Sequence, residues 1–535
     1  MADETHAVQK PWRPSHNQWV VALTVTLATF MEVLDTSIAN VALPHIAGNL
    51  GASQNESTWV LTSYLVSNAV VLPISAWLAT RFGRKRFYMV SVTVFTVSSF
   101  LCGLAPTLGL LVLFRVLQGV GGGGLVPSEQ AILADTFLPE QRGLGFAVYG
   151  MAVVIAPAIG PTIGGWITDN YSWHWIFFIN VPIGLLSLLL TERLVEDPPY
   201  LARERQKLID AKAGIDYIGF ALIALGVGAL QMVLDKGQEV DWFASNLIVV
   251  GSVFAAVTLV SWAIWEWRHE HPVVNLRLFK GRNFAAAMLF TFTLGMVLNG
   301  TTVLLPQFLQ SMLGYNATMA GEALAGGGFM MLIMMPMSGY LVSRVDPRIM
   351  MAVGFATTAT ALYFMALHLN LMIDFRTAAL IRIFQTSGLA FIFLPSNTLA
   401  YVGIPREQNN QVSAMNAFVR NIGGSIGIAL LITTLTRATQ QNQATLVSHT
   451  YAGNPAFDSL INSTTSALQS AGVDAFTATQ QAYAHVMGLV ARQAAVLAYV
   501  EVVTVMALAV ACLIPLPMIM RRPVTRPAAD EVALH

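Results

Sequence analysis

Residues 19–44 read WVVALTVTLATFMEVLDTSIANVALP, an apolar run long enough to span a bilayer with two carboxylates, Glu32 and Asp35, inside it. About 20 such residues cross the hydrocarbon core as a helix. A spacing of three puts both acids on nearly the same helical face. An ionisable side chain near the middle of such a helix costs roughly 2.5–3.5 kcal/mol on insertion scales. It is therefore turned inward, towards a partner or a water-filled path. Two acids in a first membrane helix point to the movement of protons, ions or solutes.

The rest of the chain agrees. Of 535 residues, 55% are hydrophobic and only 11% charged, against about 25% charged in a soluble domain. This is the composition of an all-α polytopic membrane protein. The net charge is zero, which leaves no case for nucleic acid. Cys102 and Cys512 lie in apolar segments and build neither a disulfide framework nor a metal site. His269 and His271 fall in a predicted loop and resemble neither a metal site nor a triad. The first apolar stretch is too long for a cleavable signal peptide, and a polar tail precedes it.

Fourteen stretches of spanning length are predicted, near 19–42, 58–79, 87–105, 108–130, 144–167, 175–193, 216–234, 246–266, 284–308, 321–342, 349–369, 376–398, 412–436 and 489–517. An even number puts both termini on one side. With that side inside, twenty-two Lys and Arg fall on it and four (Lys236, Arg376, Arg437 and Arg492) on the other. Such a positive-inside bias predicts cytoplasmic termini. Thr439 to Tyr483, rich in Gln, Asn, Ser and Thr, is then external, either a solvated loop or a docking surface for an outside partner.

The chain also repeats itself. PISAWLATRFGRK at 73–85 matches PMSGYLVSRVDPR at 336–348, FRVLQ at 114–118 matches IRIFQ at 381–385, and PEQRG at 139–143 parallels PREQN at 405–409. Three ordered matches at nearly constant offset argue for duplication. In membrane proteins such repeats typify transporters, with the substrate path between the halves. The predicted organisation follows: a tail 1–18, a six-helix bundle 19–193, linkers and two extra helices in 194–283, a second six-helix bundle 284–517 with an external loop near 437–487, and a tail 518–535.

Five motifs, in order, carry a resemblance. LDTSIANVALP at 34–44 resembles the first-helix signature of the fourteen-helix drug:proton antiporters of the major facilitator superfamily. LATRFGRKR at 78–86 resembles that superfamily's loop between helices two and three, and RVLQGVGGGG at 115–124 its helix-four arginine motif. APAIGPTIGGWI at 156–167 resembles the antiporter motif of helix five, and WHWIFFINVPIG at 173–184 the signature entering helix six in the EmrB/QacA branch. The similarity runs through nearly the whole chain and is nearest to EmrB-type multidrug efflux permeases. The loop motif departs at Ala76 and Thr80, where Gly and Asp are usual. With Thr80 the usual charge relay of that loop cannot form; Gly339 restores the glycine in the second half.

The resemblance implies a major facilitator fold of fourteen helices in the bacterial inner membrane. It implies proton-coupled antiport of hydrophobic or amphipathic drugs by alternating access, without cofactor. Its implied partners are protons, small-molecule substrates, the lipid bilayer, and the periplasmic adaptor and outer-membrane channel of a tripartite pump. The rival within transporters is export of a native metabolite, fatty acid or siderophore. A polytopic membrane enzyme or scaffold would need a catalytic constellation or soluble output domain, and the sequence offers neither.

Asp35 is the first candidate for proton coupling, because a carboxylate inside the bundle can load and release a proton. By resemblance, Arg115 faces it and senses its protonation. An arginine midway along a membrane helix needs an acid or carbonyl partner in any case. Glu32 either shares the proton or meets a cationic substrate. Glu129 is either a proton entry or exit group or simply solvated at its helix end. Gly119 to Gly124 lacks the Gly-Lys-Ser/Thr of a phosphate loop. Its glycines, like Gly160, Gly164 and Gly165, let neighbouring helices approach, and Pro157 or Pro161 bends helix five. Arg81, Arg84, Lys85 and Arg86 anchor topology and, by resemblance, contact acidic groups of neighbouring helices, with Gly83 a gating or packing position in the same loop. Arg382, Arg420 and Glu501 are further intramembrane charges, Glu501 being placed to pair with either arginine. Asn40, Trp59, Tyr64, Asn68, Gln118, Asn299, Gln307, Gln310, Asn397 and Asn416 are the substrate-cavity candidates.

Overall fold

A computed structural model describes residues 12, 14–138, 140–210, 216–270, 272–451 and 453–520. The basic residues Lys10, Arg13, Lys212, Arg521, Arg522 and Arg526, most of both tails, and His271 lie outside the described residues.

Nineteen α-helices follow in chain order: α1 Gln18–Leu50, α2 Gln54–Ser57, α3 Trp59–Phe82, α4 Arg84–Gly103, α5 Leu108–Gly122, α6 Leu125–Thr136, α7 Arg142–Asn170, α8 Trp175–Phe178, α9 Asn180–Leu194, α10 Pro199–Asp210, α11 Tyr217–Lys236, α12 Asn246–Arg268, α13 Arg282–Leu313, α14 Ala317–Leu341, α15 Pro347–His368, α16 Phe375–Ala400, α17 Asn409–Val447, α18 Pro455–Ser470 and α19 Ala475–Cys512. Thirteen spans are long and apolar enough to cross a membrane, and fourteen with the bent α7 taken as one. Helices answer the bilayer's demand that every backbone polar group be satisfied within the segment. We call the face where α1 begins basal and the opposite face distal.

Polar residues set the ends. Asn17 caps α1 by accepting from the Trp19 amide at 2.9 Å, and Gly51 closes it in the left-handed conformation, φ 63°. At the tight corner between α3 and α4, Gly83 has φ 93°. A Cβ there would be strained whatever the space.

The first six spans pack as one half and the last six as the other. They meet chiefly along α7 against α14 and along α17 against α3 and α6. The inserted pair α11 and α12 lies outside this core. α12 turns Val250, Val253, Val257, Val260 and Ile264 outward, a stripe at helical spacing that suits lipid. α11 lies against both α3 and α17. Lys236 Nζ donates to Thr58 Oγ1 at 2.5 Å, and Thr62 donates to Asp235. On the other side Gln231 Nε2 donates to Ser425 Oγ at 2.9 Å and Trp242 Nε1 to Thr433 Oγ1 at 2.8 Å. One inserted helix and the turn after it thus hold both halves.

Several boundaries differ from the sequence reading. The fourth span reaches Thr136 and is interrupted only at Gly123 and Gly124, whose backbone stays right-handed. The stretch 437–487 is largely helical: α17 continues to Val447, α18 follows, and α19 starts at Ala475. Its Ala, Gln, Leu and Thr residues sustain a helix after the apolar pattern has ended, and Gly453 and Gly472, both at positive φ, break it. α7 bends at Pro157, where its two segments meet at 42°.

Candidate functional site

α1, α5 and α9 converge on Asp35. Asp35 is 2% exposed and Arg115 is fully buried. Arg115 Nη1 donates to Asp35 Oδ2 at 2.6 Å, and Arg115 Nε to the Val60 carbonyl at 3.0 Å. Asp35 Oδ1 accepts from Gln118 Nε2 at 3.0 Å and Asn180 Nδ2 at 2.6 Å. Gln118 Oε1 accepts from Arg115 Nη1 at 2.8 Å, closing the ring of contacts. The guanidinium lies 4.5 Å from the Tyr64 ring centroid and 5.6 Å from that of Phe177. Both oxygens of Asp35 are thereby engaged by α5 and α9, so a proton on it disturbs up to three partners.

One turn towards the basal face, Glu32 Oε1 accepts from Asn68 Nδ2 at 2.9 Å and Tyr64 OH at 3.1 Å. Its Oε2 is buried without a partner. Glu129 is fully buried, not solvated at a helix end, because α6 extends another seven residues to Thr136. Thr26 Oγ1 donates to Glu129 Oε1 at 2.5 Å, and Glu129 Oε2 has no partner.

The polar cavity candidates are largely committed to structure. Tyr64, Asn68 and Gln118 are buried holding Glu32 and Asp35. Asn416 Nδ2 donates to Gln130 Oε1 at 3.3 Å and to Asn397 Oδ1 at 2.5 Å, so Asn397 and Asn416 belong to the seam between halves. Asn299 donates back to Gly295 of its own helix at 3.0 Å. Asn40, Trp59, Gln307 and Gln310 are exposed, and Trp59 carries Lys236 Nζ 5.2 Å from its ring centroid.

At the basal end Arg84 is 1% exposed. It donates through Nη1 to Asp135 Oδ2 at 2.5 Å and to the Ala131 carbonyl at 3.0 Å, and through Nε to Asn410 Oδ1 at 2.6 Å. Asn409 Nδ2 reaches Asp135 Oδ1 at 2.7 Å, and Asn410 Nδ2 reaches Thr80 Oγ1 at 3.2 Å. Thr80 therefore joins the contact between halves as a neutral acceptor where a charged relay was expected to fail. Tyr200 of α10 donates to Asp135 Oδ2 at 2.5 Å, and burial, against the opposing charge of Arg84 and aided by that of Asp135, pushes the Tyr200 hydroxyl above the usual phenol range. Arg81 is half-buried at the end of α3.

The glycines do different work. A Cβ on Gly121 would meet the Phe95 backbone nitrogen at 2.5 Å, and one on Gly122 the Tyr64 hydroxyl at 2.6 Å. Gly119 abuts Ser67 and Tyr64, Gly160 abuts Ser37, and Gly164 abuts Ile38. Gly165 differs from the expectation: nothing stands within 4 Å of its Cβ position. Pro161 lies against Gly321 of α14.

In the second half, Glu501 pairs with neither arginine. It is exposed on α19 and accepts from Asn442 Nδ2 at 3.1 Å, because its face of the helix turns away from the core. Arg382 is held by Gln385, Thr301 and Thr302 at 3.1, 3.2 and 2.9 Å. Arg420 donates to the Tyr149 hydroxyl and lies over the Tyr149 and Phe393 rings. Arg115–Gln118 and Arg382–Gln385 are repeat mates. The same offset carries Asp35 onto Thr302 and Glu32 onto Asn299. The duplicated geometry survives in both halves, and the acids stand in one.

Sequence reasoning missed Asn180, Asp135, Asn409, Asn410 and Tyr149. Asn180 was legible as the polar residue inside the helix-six signature. The others carry no local signal, since their partners are 50 to several hundred residues away.

Residues 25–428 match the Major Facilitator Superfamily. The chain is 40% identical over 411 residues to the multidrug export protein EmrB of Haemophilus influenzae, covering 77% of this chain and 79% of that one. It is 38% identical over 436 residues to EmrB of Escherichia coli strain K12, covering 82% and 84%. It is 39% identical over 413 residues to the fatty acid resistance protein FarB of Neisseria gonorrhoeae, covering 77% and 80%. The proton:xylose symporter XylE shares the fold at a TM-score of 0.53 and 16% identity, over 81% of this chain and 90% of that one. The chain belongs to the major facilitator superfamily. Within it, the chain is an EmrB-type multidrug permease by sequence similarity and an all-α polytopic membrane transporter by fold.

Proposed function

We propose that this transporter exports hydrophobic and amphipathic compounds across the bacterial inner membrane in exchange for protons, with its basal face and both termini cytoplasmic. The observation that carries the reading is the sealed Asp35–Arg115 pair, tied to α9 through Asn180. A buried acid bound by donors on two other helices converts proton binding into a change of helix packing. The arginine that repeats Arg115 has hydroxyls in place of an acid, which supports the first half as the carrier of the proton. Arg84, Asp135, Asn409 and Asn410 close the basal side, and alternating access requires them to part. The similarity to EmrB supports work with a periplasmic adaptor and an outer-membrane channel. The similarity to FarB favours fatty acids as a second substrate class.

The test is ethidium-driven proton flux in proteoliposomes of the purified chain. Wild-type protein is expected to acidify or alkalinise the lumen according to the ethidium gradient, and Asp35→Asn to abolish that coupling. Coupled flux in Asp35→Asn would overturn the assignment. Laurate in place of ethidium separates the two substrate classes.

A further inference from the structure

Below Asp35 the interior stays polar in an unusual way. Thr26, Thr29, Glu32 and Asp35 recur every third residue of α1, so successive members stand about 4.5 Å apart along the axis and about 60° apart around it, and the polar path winds half a turn from the α5 and α9 side at Asp35 to the α6 side at Thr26. Buried polar atoms are nearly always hydrogen-bonded. Here Thr29 Oγ1, Glu32 Oε2 and Glu129 Oε2 are buried and make no well-formed hydrogen bond, Thr29 standing only near enough to act on Glu129, and across the seam Arg420 Nη1 makes none either. Glu129 belongs to α6 in the first half and Arg420 to α17 in the second, and α6 packs against α17. Arg420 acts electrostatically on Glu129, yet its hydrogen bond goes to Tyr149 of α7. A buried carboxyl on α6 and a buried guanidinium on α17 thus stand on helices packed across the seam, within electrostatic reach of each other, each with an atom that makes no hydrogen bond and none shared between them.

We propose that Glu129 is a proton-operated latch between the two halves: when charged, its carboxylate draws Arg420 across the basal seam, and a proton on it lets the seam part. The proton arrives from the Asp35 side through Glu32 and Thr29, protonates a Glu129 oxygen, and leaves to basal water once the halves have separated. The groups that face Glu129 fit this role. α1 presents Glu32, whose charge opposes a second one; α4 presents Tyr88; α7 presents Tyr149; α17 presents the cation Arg420. Asp35 has its counter-charge, Arg115, on its own half. Glu129 is the buried acid whose counter-charge lies on the other half, so its protonation bears directly on how the halves meet.

The inference rests on the proton-driven reading above, and its test needs no transport. Spin labels at the exposed basal positions Gln141 and Glu407, in a Cys102→Ala, Cys512→Ser background, report the distance across the seam by double electron–electron resonance in the full-length protein. The wild-type distance distribution is expected to shift to longer values on going from alkaline to acid pH. Glu129→Gln and Arg420→Gln are each expected to hold the longer distances at both pH values, and the double variant to add nothing. Glu32→Gln is expected to keep the pH response. A wild-type response retained in either Glu129→Gln or Arg420→Gln would overturn the latch. Should Glu129→Gln fail to fold, infrared titration of the wild type with carbon-13-labelled glutamate decides: the acid-form glutamate band must change with the distance shift, and its constancy refutes the proposal. A positive distance response beside uncoupled ethidium flux would reject the export reading and leave the latch standing.

Discussion

Arg115 Nη1 lies 2.6 Å from Asp35 Oδ2, and the two side chains are 0% and 1% exposed. Removing one member of such a buried pair leaves the other uncompensated, at a cost of about 3–5 kcal/mol. The cost falls unequally: an asparagine at 35 still offers Arg115 an oxygen beside the Val60 carbonyl and Gln118, whereas a neutral side chain at 115 leaves the buried Asp35 carboxylate with only the neutral donors Gln118 and Asn180.

Arg115→Gln and Asp35→Asn are therefore expected to differ in kind. Asparagine is nearly isosteric and still accepts from Arg115, so thermal unfolding in detergent should shift little while proton coupling is lost. Arg115→Gln should lower the unfolding temperature distinctly and lose coupling as well. Equal destabilisation by both would contradict the asymmetry.

The small residues of α5 offer a packing test. Gly121→Ala forces a methyl against the Phe95 backbone, which has no side-chain freedom to yield. Overpacking of this kind costs about 1–3 kcal/mol. Gly165→Ala meets nothing within 4 Å and should be neutral or slightly stabilising as a helix substitution. Differential scanning fluorimetry of the two variants distinguishes them.

Arg84 joins α4 to α6 and to α17 in the other half. Arg84→Ala strands Asp135 beside Asn409 and Tyr200. Basal opening should rise, read in the Cys102→Ala, Cys512→Ser background as faster alkylation of a cysteine introduced at Ala414, which is 2% exposed here. Asp135→Asn should do the same more weakly, since Asn409 and Tyr200 retain an oxygen to bond. Unchanged alkylation in both would remove these residues from any gate.

The inserted helix α11 grips both halves on the distal side. Trp242→Phe deletes the hydrogen bond to Thr433 and keeps most of the ring, a loss of about 1 kcal/mol. Combined with Gln231→Ala it is expected to free α11 from α17 while Lys236 still holds it to α3. The measurable outcome is increased hydrogen exchange in α11 without global unfolding. Protection equal to wild type would show that lipid-facing packing alone keeps the insertion in place.

Much of this architecture was legible beforehand, and the reasons are local. Apolar length reveals a span because the bilayer forbids unsatisfied backbone. The duplication shows where the insertion begins. The pairing of Asp35 with Arg115 followed from a family motif, not from spacing. Glu501 shows where such reading stops: a charge in an apolar run looks buried, yet its face of α19 is turned outward. Gly165 makes the same point, since glycine permits close approach without requiring it.

Residues 19–44 by themselves determined a membrane helix with inward acids, because the energy of placing charge in hydrocarbon depends only on that segment and its solvent. Which groups receive those acids was decided by tertiary structure alone. Asn180 reaches Asp35 across 145 positions, Asn409 reaches Asp135 across 274, and Arg420 comes to face Glu129 from the other half. Hydrogen bonds and Coulombic interactions act over a few ångströms, and only the packing of the two halves brings such distant residues within that range.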